Sequence, residues 1–134
     1  MVAAVCAWHE HHERAAAELN RRLAARQTMI VAAPALVETY AVLTRLPPPH
    51  RLSPSDALHL IDANFAGAGR IVALDGRGYV ALIRRSSNEG VAGGRVYDAI
   101  IAQCAVKGGA VSLLTFNAAH FASFAAVGLE VVVP

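Results

Sequence analysis

The sequence predicts an α/β fold with a parallel sheet that is covered by helices on both faces. Short runs of apolar and β-branched residues alternate along the chain with longer segments of helical periodicity. The runs are continuously apolar, as expected for strands that are buried on both faces of a sheet. Strands that alternate with helices in this way form a parallel sheet between helical layers. We predict a single domain over residues 1–134, because a chain of this length can close one hydrophobic core.

The composition is that of a compact globular protein and excludes several other classes. The chain is 55% hydrophobic and 16% charged, with a mean hydropathy of +0.41, which is typical of a folded domain. No apolar run approaches the roughly 18 residues of a membrane span, so no membrane association is predicted. The net charge of +2 permits a nucleic-acid partner without requiring one. Cys6 and Cys104 lack metal-binding or redox spacing and are predicted to be buried thiols in a reducing cytoplasm.

The first half of the chain contains three predicted helices and two predicted strands. Helical patterns cover residues 9–26, 34–46 and 53–68, and apolar β-branched runs cover residues 28–33 and 70–74. The second helix begins at Pro34, which a first turn tolerates, and ends before the proline run at Pro47. The third helix begins at Ser53, a predicted N-cap that is followed three residues later by Asp56.

The second half continues the alternation. Helical patterns cover residues 76–90 and the segment between Gly93 and Gly108, a helical turn covers 117–128, and strands cover 111–115 and 129–134. Gly90 and Gly108 are predicted to stop the helices that precede them, since glycine is favoured just beyond a helix C-terminus. Ligands of such sheets bind beyond the carboxyl ends of the strands. The residues after 28–33 and after 111–115 are therefore the candidates for a site.

Four polar residues follow the predicted strands in otherwise apolar surroundings. Glu38 lies about one turn into the helix after a strand, and Asp98 lies just inside the helix after Gly93. Thr115 and Asn117 place a hydroxyl and an amide oxygen at the carboxyl end of another strand. If the sheet forms as predicted, Glu38, Asp98 and Asn117 converge at one edge.

Two carboxylates at such an edge need a compensating charge. At about 4 Å and an effective dielectric constant near 20, their repulsion is on the order of 4 kcal/mol. Protonation of one acid, an arginine such as Arg45 or Arg95, or a divalent cation would offset this energy. Oxygen ligands suit Mg²⁺ or Mn²⁺, and such an ion can activate water against a phosphodiester. Simpler interpretations remain open: Asp98 could be a first-turn acid that the helix dipole favours, and Glu38 an exposed residue of a partly buried helix.

Other polar motifs are predicted to be structural. The segment HEHHE at residues 9–13 lacks the second histidine of the zinc-protease pattern HExxH and is assigned to a solvated helix face. Asp75 and Gly76 follow a strand and are predicted to form a turn. The glycine-rich segments at 67–70 and 90–94 lack the lysine of a phosphate-binding loop.

Four segments carry a resemblance to a known family. They are PALVETYAVLTRL around Glu38, GGRVYDAIIAQCAVKGGA around Asp98, LLTFNAAHF at 113–121 and the closing GLEVVVP. Together they resemble PIN domains, specifically the VapC-like toxins of bacterial toxin–antitoxin pairs, over the whole chain. The second segment followed by the third is fairly specific to this family, whereas each segment alone is weak evidence for it. The resemblance implies a PIN-like three-layer α/β/α fold with a central parallel sheet.

The resemblance also implies an activity and its partners. VapC-like toxins are Mg²⁺- or Mn²⁺-dependent endoribonucleases of type II toxin–antitoxin systems, so it implies an RNA substrate, a cognate antitoxin and a homodimer. Glu38 and Asp98 match two acids of the family's metal-binding cluster. Asn117 stands where many members carry Asp and some carry Asn, and Thr115 matches a polar residue beside the site.

The chain departs from the family pattern at its N-terminus. Family members begin with a strand that ends in an aspartate, whereas MVAAVCAW matches the apolar helical stretch after that strand. One hypothesis is that the functional protein begins a few residues upstream of Met1, where in-frame codons for a hydrophobic strand and an aspartate are expected. The alternative is a catalytically inert PIN-like module that binds antitoxin or RNA without cleavage. A third interpretation is an α/β domain that binds a small molecule. The absence of a cofactor-binding sequence motif disfavours it.

Overall fold

The computed structural model describes residues 1–122 and 128–134, which form two compact units. The first unit comprises Met1–Val31 and Ala35–Ile71, and the second comprises Ala32–Pro34 and Val72–Pro134. Helices and short strands alternate along both units, so the chain has the α/β character that its sequence predicts. The single domain over residues 1–134 remains a prediction.

The described residues contain seven α-helices and four strands. In chain order these are α1 (Val2–Val5), α2 (His12–Ala24), β1 (Ile30–Ala32), α3 (Ala33–Arg45), α4 (Pro54–Ile61), β2 (Arg70–Val72), α5 (Gly76–Asn88), α6 (Arg95–Lys107), β3 (Ser112–Leu114), α7 (Ala118–Phe121) and β4 (Glu130–Val132). A π-helical segment, Asp62–Ala66, continues α4. Most helices and strands are shorter than predicted, and their ends lie one to four residues inside the limits that the sequence predicts. The predicted helical turn over 117–128 is present as α7, and its residues 123–127 lie outside the described part of the chain.

The strands pair two by two. β1 pairs with β2, and β3 pairs with β4. The second pair is parallel, with Ser112 opposite Glu130 and Leu114 opposite Val132. Each strand is three residues long, so each contributes only a few ladder hydrogen bonds. The parallel pairing of β3 with β4 agrees with the sequence prediction. Among the described residues the strands form two pairs, and the central sheet and the three-layer arrangement remain predictions.

The core of the first unit consists of Cys6, Leu43, Ala57 and Ile61. Helix α1 contributes Val2 and Val5 to its border, and α1 packs against α2. The predicted N-cap of α4 is confirmed, because the Ser53 hydroxyl accepts a hydrogen bond from the Asp56 backbone N–H at 3.1 Å.

The core of the second unit consists of Ala102, Leu113, Phe121 and Leu129. These residues come from α6, β3, α7 and the segment that leads into β4, so one cluster joins the elements of this unit. Leu129 is 1% exposed. Apolar side chains of helices α6 and α7 therefore pack against the parallel β3–β4 pair.

Both cysteines are free and buried, which confirms the prediction from their spacing. Burial raises the pKa of the Cys6 and Cys104 thiols, because the low-dielectric interior disfavours the thiolate. Within residues 1–122 and 128–134, every helix falls short of the length and apolar character that crossing a bilayer requires.

Leu43→Ala is expected to lower the free energy of unfolding by about 2–5 kcal/mol, because Leu43 is fully buried in the first-unit core. The matched control is Leu58→Ala on α4, where the side chain is 50% exposed and the expected loss is below about 1 kcal/mol. Urea unfolding followed by circular dichroism measures both losses. Equal losses in the two variants would contradict the placement of Leu43 in the core.

Glu18 is expected to titrate far below the ordinary range of a glutamate. It accepts two bonds from the Arg21 guanidinium and one from Arg22, each 2.7 Å long, and these lower the pKa of Glu18 from 4.5 to about 2. Because the native pKa is depressed, the stabilisation from this cluster is present above pH 4.5 and is lost as the pH falls from 4.5 towards 2.

Carboxyl carbon shifts of Glu18, followed by NMR through the acid range, measure this midpoint directly. Replacing both Arg21 and Arg22 with glutamine is expected to return the midpoint towards 4.5. A wild-type midpoint already near 4.5 would show that the cluster does not persist in solution.

Candidate functional site

Asp98 is held by the N-terminal end of α6. The chain enters the helix through Gly93, whose φ of 60° is a backbone conformation that glycine adopts without steric cost. Asp98 is the fourth residue of the helix and its only first-turn acid. Its side chain is 25% exposed. The helix dipole favours a carboxylate there, yet the position also leaves the carboxylate oxygens accessible to a partner.

His120 connects Asp98 to Asn117. The Nδ1 atom of His120 lies 2.9 Å from Oδ2 of Asp98 and 2.7 Å from the side-chain amide of Asn117. The Asn117 backbone N–H in turn donates to the Thr115 hydroxyl oxygen at 3.0 Å. We call Asp98, Asn117 and His120 the imidazole cluster. Three of the four residues that the sequence singled out therefore lie in one hydrogen-bonded network within the second unit.

Sequence reasoning missed His120. The signal was present, because Asn117 and His120 are three residues apart in NAAHF, and residues at that spacing share one face of a helical turn. The HEHHE segment is richer in histidine, but the histidine that contacts a candidate acid follows the third strand.

The bond that His120 Nδ1 makes depends on whether this nitrogen carries a proton. An ionised carboxylate only accepts hydrogen bonds, so Nδ1 must carry a proton to bond to Asp98. A protonated ring nitrogen cannot also accept from an amide NH₂ group. The amide nitrogen of Asn117 lies 2.7 Å from Nδ1, so Nδ1 bonds to one of its two neighbours at a time: to Asp98 when it carries a proton, and to the Asn117 amide when it does not.

The fold holds this geometry through Phe121. Phe121 is 5% exposed and packs in the second-unit core with Ala102, which lies one turn beyond Asp98 on α6. The buried ring thus fixes α7 against α6, and the preceding residue, His120, is held beside Asp98. The His120 backbone N–H also donates to the Asn117 carbonyl at 3.1 Å, which fixes the turn between them.

Glu38 belongs to α3 in the first unit and is exposed. The sequence placed it among apolar neighbours, and two of these, Val37 and Tyr40, are themselves exposed, at 71% and 38%. Its negative charge acts on the Met1 amino group: burial lowers the pKa of that amine, and Glu38 partly offsets the shift. The approach of Glu38 to Asp98 and Asn117 remains a prediction.

The other polar motifs have structural partners. The prediction of a solvated helix face for HEHHE is wrong, because α2 begins only at His12 and the three histidines of the segment are half-buried. Asp75 caps α5, because its carboxylate accepts from the Gly78 backbone N–H at 2.7 Å. In the HEHHE segment, His9 Nδ1 accepts from the His11 backbone N–H, and His12 Nδ1 lies 2.9 Å from the Ala3 carbonyl oxygen. Among residues 1–122 and 128–134, no group of three or more His, Cys, Asp or Glu side chains is arranged to hold a metal ion.

The donor set of the imidazole cluster therefore differs from an all-carboxylate cage. It places one carboxylate oxygen of Asp98 and the amide nitrogen of Asn117 around the imidazole Nδ1 of His120. Mg²⁺ and Mn²⁺ prefer oxygen donors, of which this cluster presents the Asp98 carboxylate.

Comparison with known proteins identifies the family of this chain. Residues 1–127 match the PIN domain. Ribonuclease VapC40 of Mycobacterium tuberculosis (strain CDC 1551 / Oshkosh) is 42% identical over 115 residues, which cover 86% of this chain and 79% of that protein. Ribonuclease VapC27 of Mycobacterium tuberculosis (strain ATCC 25618 / H37Rv) is 36% identical over 131 residues, which cover 98% of this chain and 82% of that protein. The chain therefore belongs to the PIN-domain family.

Proposed function

We propose that this protein is a metal-dependent endoribonuclease and the toxin component of a type II toxin–antitoxin system. Its relatives VapC40 and VapC27 are named ribonucleases, and both similarities extend over most of the chain. The observation that carries the proposal is the convergence of the Asp98 and Asn117 side chains on one point in an exposed part of the second unit. A cognate antitoxin is the proposed protein partner, and RNA is the proposed substrate.

The proposed metal ligands are Asp98, Asn117 and Glu38, for Mg²⁺ or Mn²⁺. When bound, the ion supplies charge for the phosphodiester and lowers the pKa of a coordinated water. Asp98 provides the charged oxygen, and Asn117 provides a neutral oxygen that adds no repulsion towards an approaching phosphate. Thr115 supports the site indirectly, because its hydroxyl fixes the Asn117 backbone at the end of β3.

The wider architecture proposed for the protein follows its family. We propose one domain over residues 1–134, a three-layer α/β/α arrangement with a central parallel sheet, a cytoplasmic location and a homodimer. Support for an interface comes from large apolar side chains that are more than 60% exposed in the chain alone: Val37, Ile83, Tyr97 and Val111.

A second candidate function is an inert PIN-like module that binds antitoxin or RNA without cleaving it. One observation favours it: the imidazole cluster contains a single carboxylate, Asp98. A lone carboxylate gives weaker attraction for a divalent ion than a cluster of acids does. RNA cleavage by the purified chain during Mn²⁺ titration discriminates the two functions, since the inert module binds RNA and leaves it intact at every ion concentration.

Asp98→Asn is expected to lower the rate of metal-dependent RNA cleavage by on the order of 10²–10³-fold, because the variant loses the charged oxygen of the site. The amide still accepts a hydrogen bond from His120, so the fold is retained. The matched control is Asp62→Asn, an exposed aspartate of the π-helical segment, with wild-type activity expected. Cleavage of a fluorescent RNA, with and without EDTA, measures the rates. Undiminished cleavage by Asp98→Asn would exclude Asp98 from the mechanism.

Glu38→Gln tests the third proposed ligand in the same assay. We expect a loss of similar order, since the substitution removes a charge and keeps the size of the side chain. A wild-type rate for Glu38→Gln together with an inactive Asp98→Asn would confine the site to the second unit.

Thr115→Val is expected to lower the free energy of unfolding by about 1 kcal/mol, because the Asn117 backbone N–H loses its acceptor. Thr115→Ser keeps the hydroxyl and is the matched control. Urea unfolding measures stability, and Mn²⁺ titration of the same samples measures affinity, which should fall in the valine variant alone. Equal affinity in the two variants would show that Thr115 does not support the site.

A further inference from the structure

We propose that a separate ligand site, for a phosphate-bearing ribonucleotide, lies between α5 and α6. An open pocket of about 330 Å³ is formed there within the second unit, and we call it the α5–α6 pocket. This volume lies at the small end of the range for ligand pockets, so it suits a ligand of about one nucleotide. The inference goes beyond the proposed function, and only RNA as a source of the nucleotide rests on that function.

Two cationic side chains line the α5–α6 pocket. Nη2 of Arg85 donates to Oε1 of Gln103 at 2.9 Å, which brings the guanidinium group of α5 to the surface of α6. Lys107 follows Gln103 by four residues, so both side chains lie on one face of α6. The ammonium group of Lys107 donates to the Ala73 carbonyl oxygen at 2.9 Å. Each cation is therefore anchored at the pocket by a hydrogen bond.

Both cations keep N–H groups for a ligand. An ammonium group has three donors and a guanidinium group has five, and the two anchoring bonds each use one. The Glu89 carboxylate lies 3.9 Å from Nε of Arg85, which is beyond hydrogen-bonding distance, and its side chain is 59% exposed, so solvent screens this pair. Phosphate oxygens are suitable acceptors, because the guanidinium fork binds them with two parallel bonds and an ammonium group adds a point charge.

The rest of the lining favours a nucleotide over a bare anion. The Asp75 carboxylate lines the pocket, and its cap of α5 uses only one of about four acceptor positions. A phosphate ion would meet this negative charge at close range, whereas a ribonucleotide also brings hydroxyl and amine donors to the carboxylate. Leu74 and Leu82 supply apolar surface for the ribose or the base.

The α5–α6 pocket is separate from the imidazole cluster. Lys107 lies nine residues after Asp98 on α6, which is about two and a half turns, so their side chains leave opposite faces of the helix. Their Cα atoms are about 14 Å apart along the helix axis. Substitutions in the pocket therefore leave the proposed catalytic residues untouched.

The test is nucleotide binding in the presence of EDTA, so that neither a metal ion nor RNA cleavage contributes. Each common ribonucleoside 5′-monophosphate is titrated into the ¹⁵N-labelled full chain, and NMR follows the backbone N–H shifts. We expect saturable shift changes at Gly78, Gln103 and Lys107. The nucleoside and inorganic phosphate, titrated separately, are expected to bind at least about 10-fold more weakly, since each lacks part of the recognised chemistry.

Substitutions of the two cations test the recognition of the phosphate. Arg85→Gln and Lys107→Gln are each expected to raise the dissociation constant of the nucleotide about 10-fold, because each removes a charged donor. Arg85→Lys and Lys107→Arg keep the charge and should retain most of the affinity. Arg84→Gln is the matched control, since Arg84 is the preceding residue of α5, is exposed and lies outside the lining. Circular dichroism checks folding, and Arg85→Gln decides if Lys107→Gln does not fold.

A short single-stranded RNA, titrated in the same way, identifies the source of the nucleotide. An affinity for RNA that falls in Arg85→Gln and not in Arg84→Gln assigns the pocket to a nucleotide unit of the RNA chain. Unchanged affinity for RNA, together with weaker binding of the monophosphate, assigns the pocket to a free nucleotide.

Three results would overturn the nucleotide site. One is the absence of shift changes at the pocket with about 10 mM nucleotide, at which a ligand with a millimolar dissociation constant would be bound. The second is equal affinity for the nucleotide and for either the nucleoside or inorganic phosphate. The third is equal affinity in Arg85→Gln and Arg84→Gln. A failure of RNA cleavage with Mn²⁺ would overturn the proposed function alone, because nucleotide binding in EDTA requires neither the ion nor the reaction.

Discussion

The second unit depends on the burial of Phe121. Its ring fills the core beside Ala102 and Leu113, and this contact ties the four-residue helix α7 to the long helix α6. A helix of one turn has too few internal hydrogen bonds to persist alone, so its position is set by packing. Because α7 is fixed in this way, His120 lies beside Asp98. The polar cluster is thus a consequence of an apolar contact one residue away.

The two acids that the sequence singles out have different surroundings in the structure. Two adjacent carboxylates would repel each other and would need a compensating charge. Among the described residues of the second unit, the Asp98 carboxylate contacts the His120 imidazole, with Oδ2 lying 2.9 Å from Nδ1. Glu38 is exposed on α3, where solvent screens its charge. An ion at Asp98 would therefore compete with a donor, His120, and would not be relieving a repulsion inside this unit.

Local signals predicted most of the secondary structure. Ser53 and Asp75 act as N-caps in the structure, and their side chains bond to backbone N–H groups within three residues, so the information lies close in the sequence. The change from α4 to a π-helical segment at Asp62 was not predicted, because α- and π-helical turns share nearly the same residue pattern. Which strands pair was also beyond local signals, since Ser112 and Glu130 are far apart in the chain and their pairing depends on tertiary contacts.

The sequence by itself determined the family of this chain. It also singled out the candidate site residues, Asp98 in the first turn of a helix and Asn117 and Thr115 after a strand. Only the tertiary structure decided that the Asp98 carboxylate and the Asn117 side-chain amide both contact Nδ1 of His120. The reason is physical. A motif fixes side-chain type and local helix position, whereas a hydrogen bond between residues 22 positions apart depends on how the buried face of α7 packs against α6.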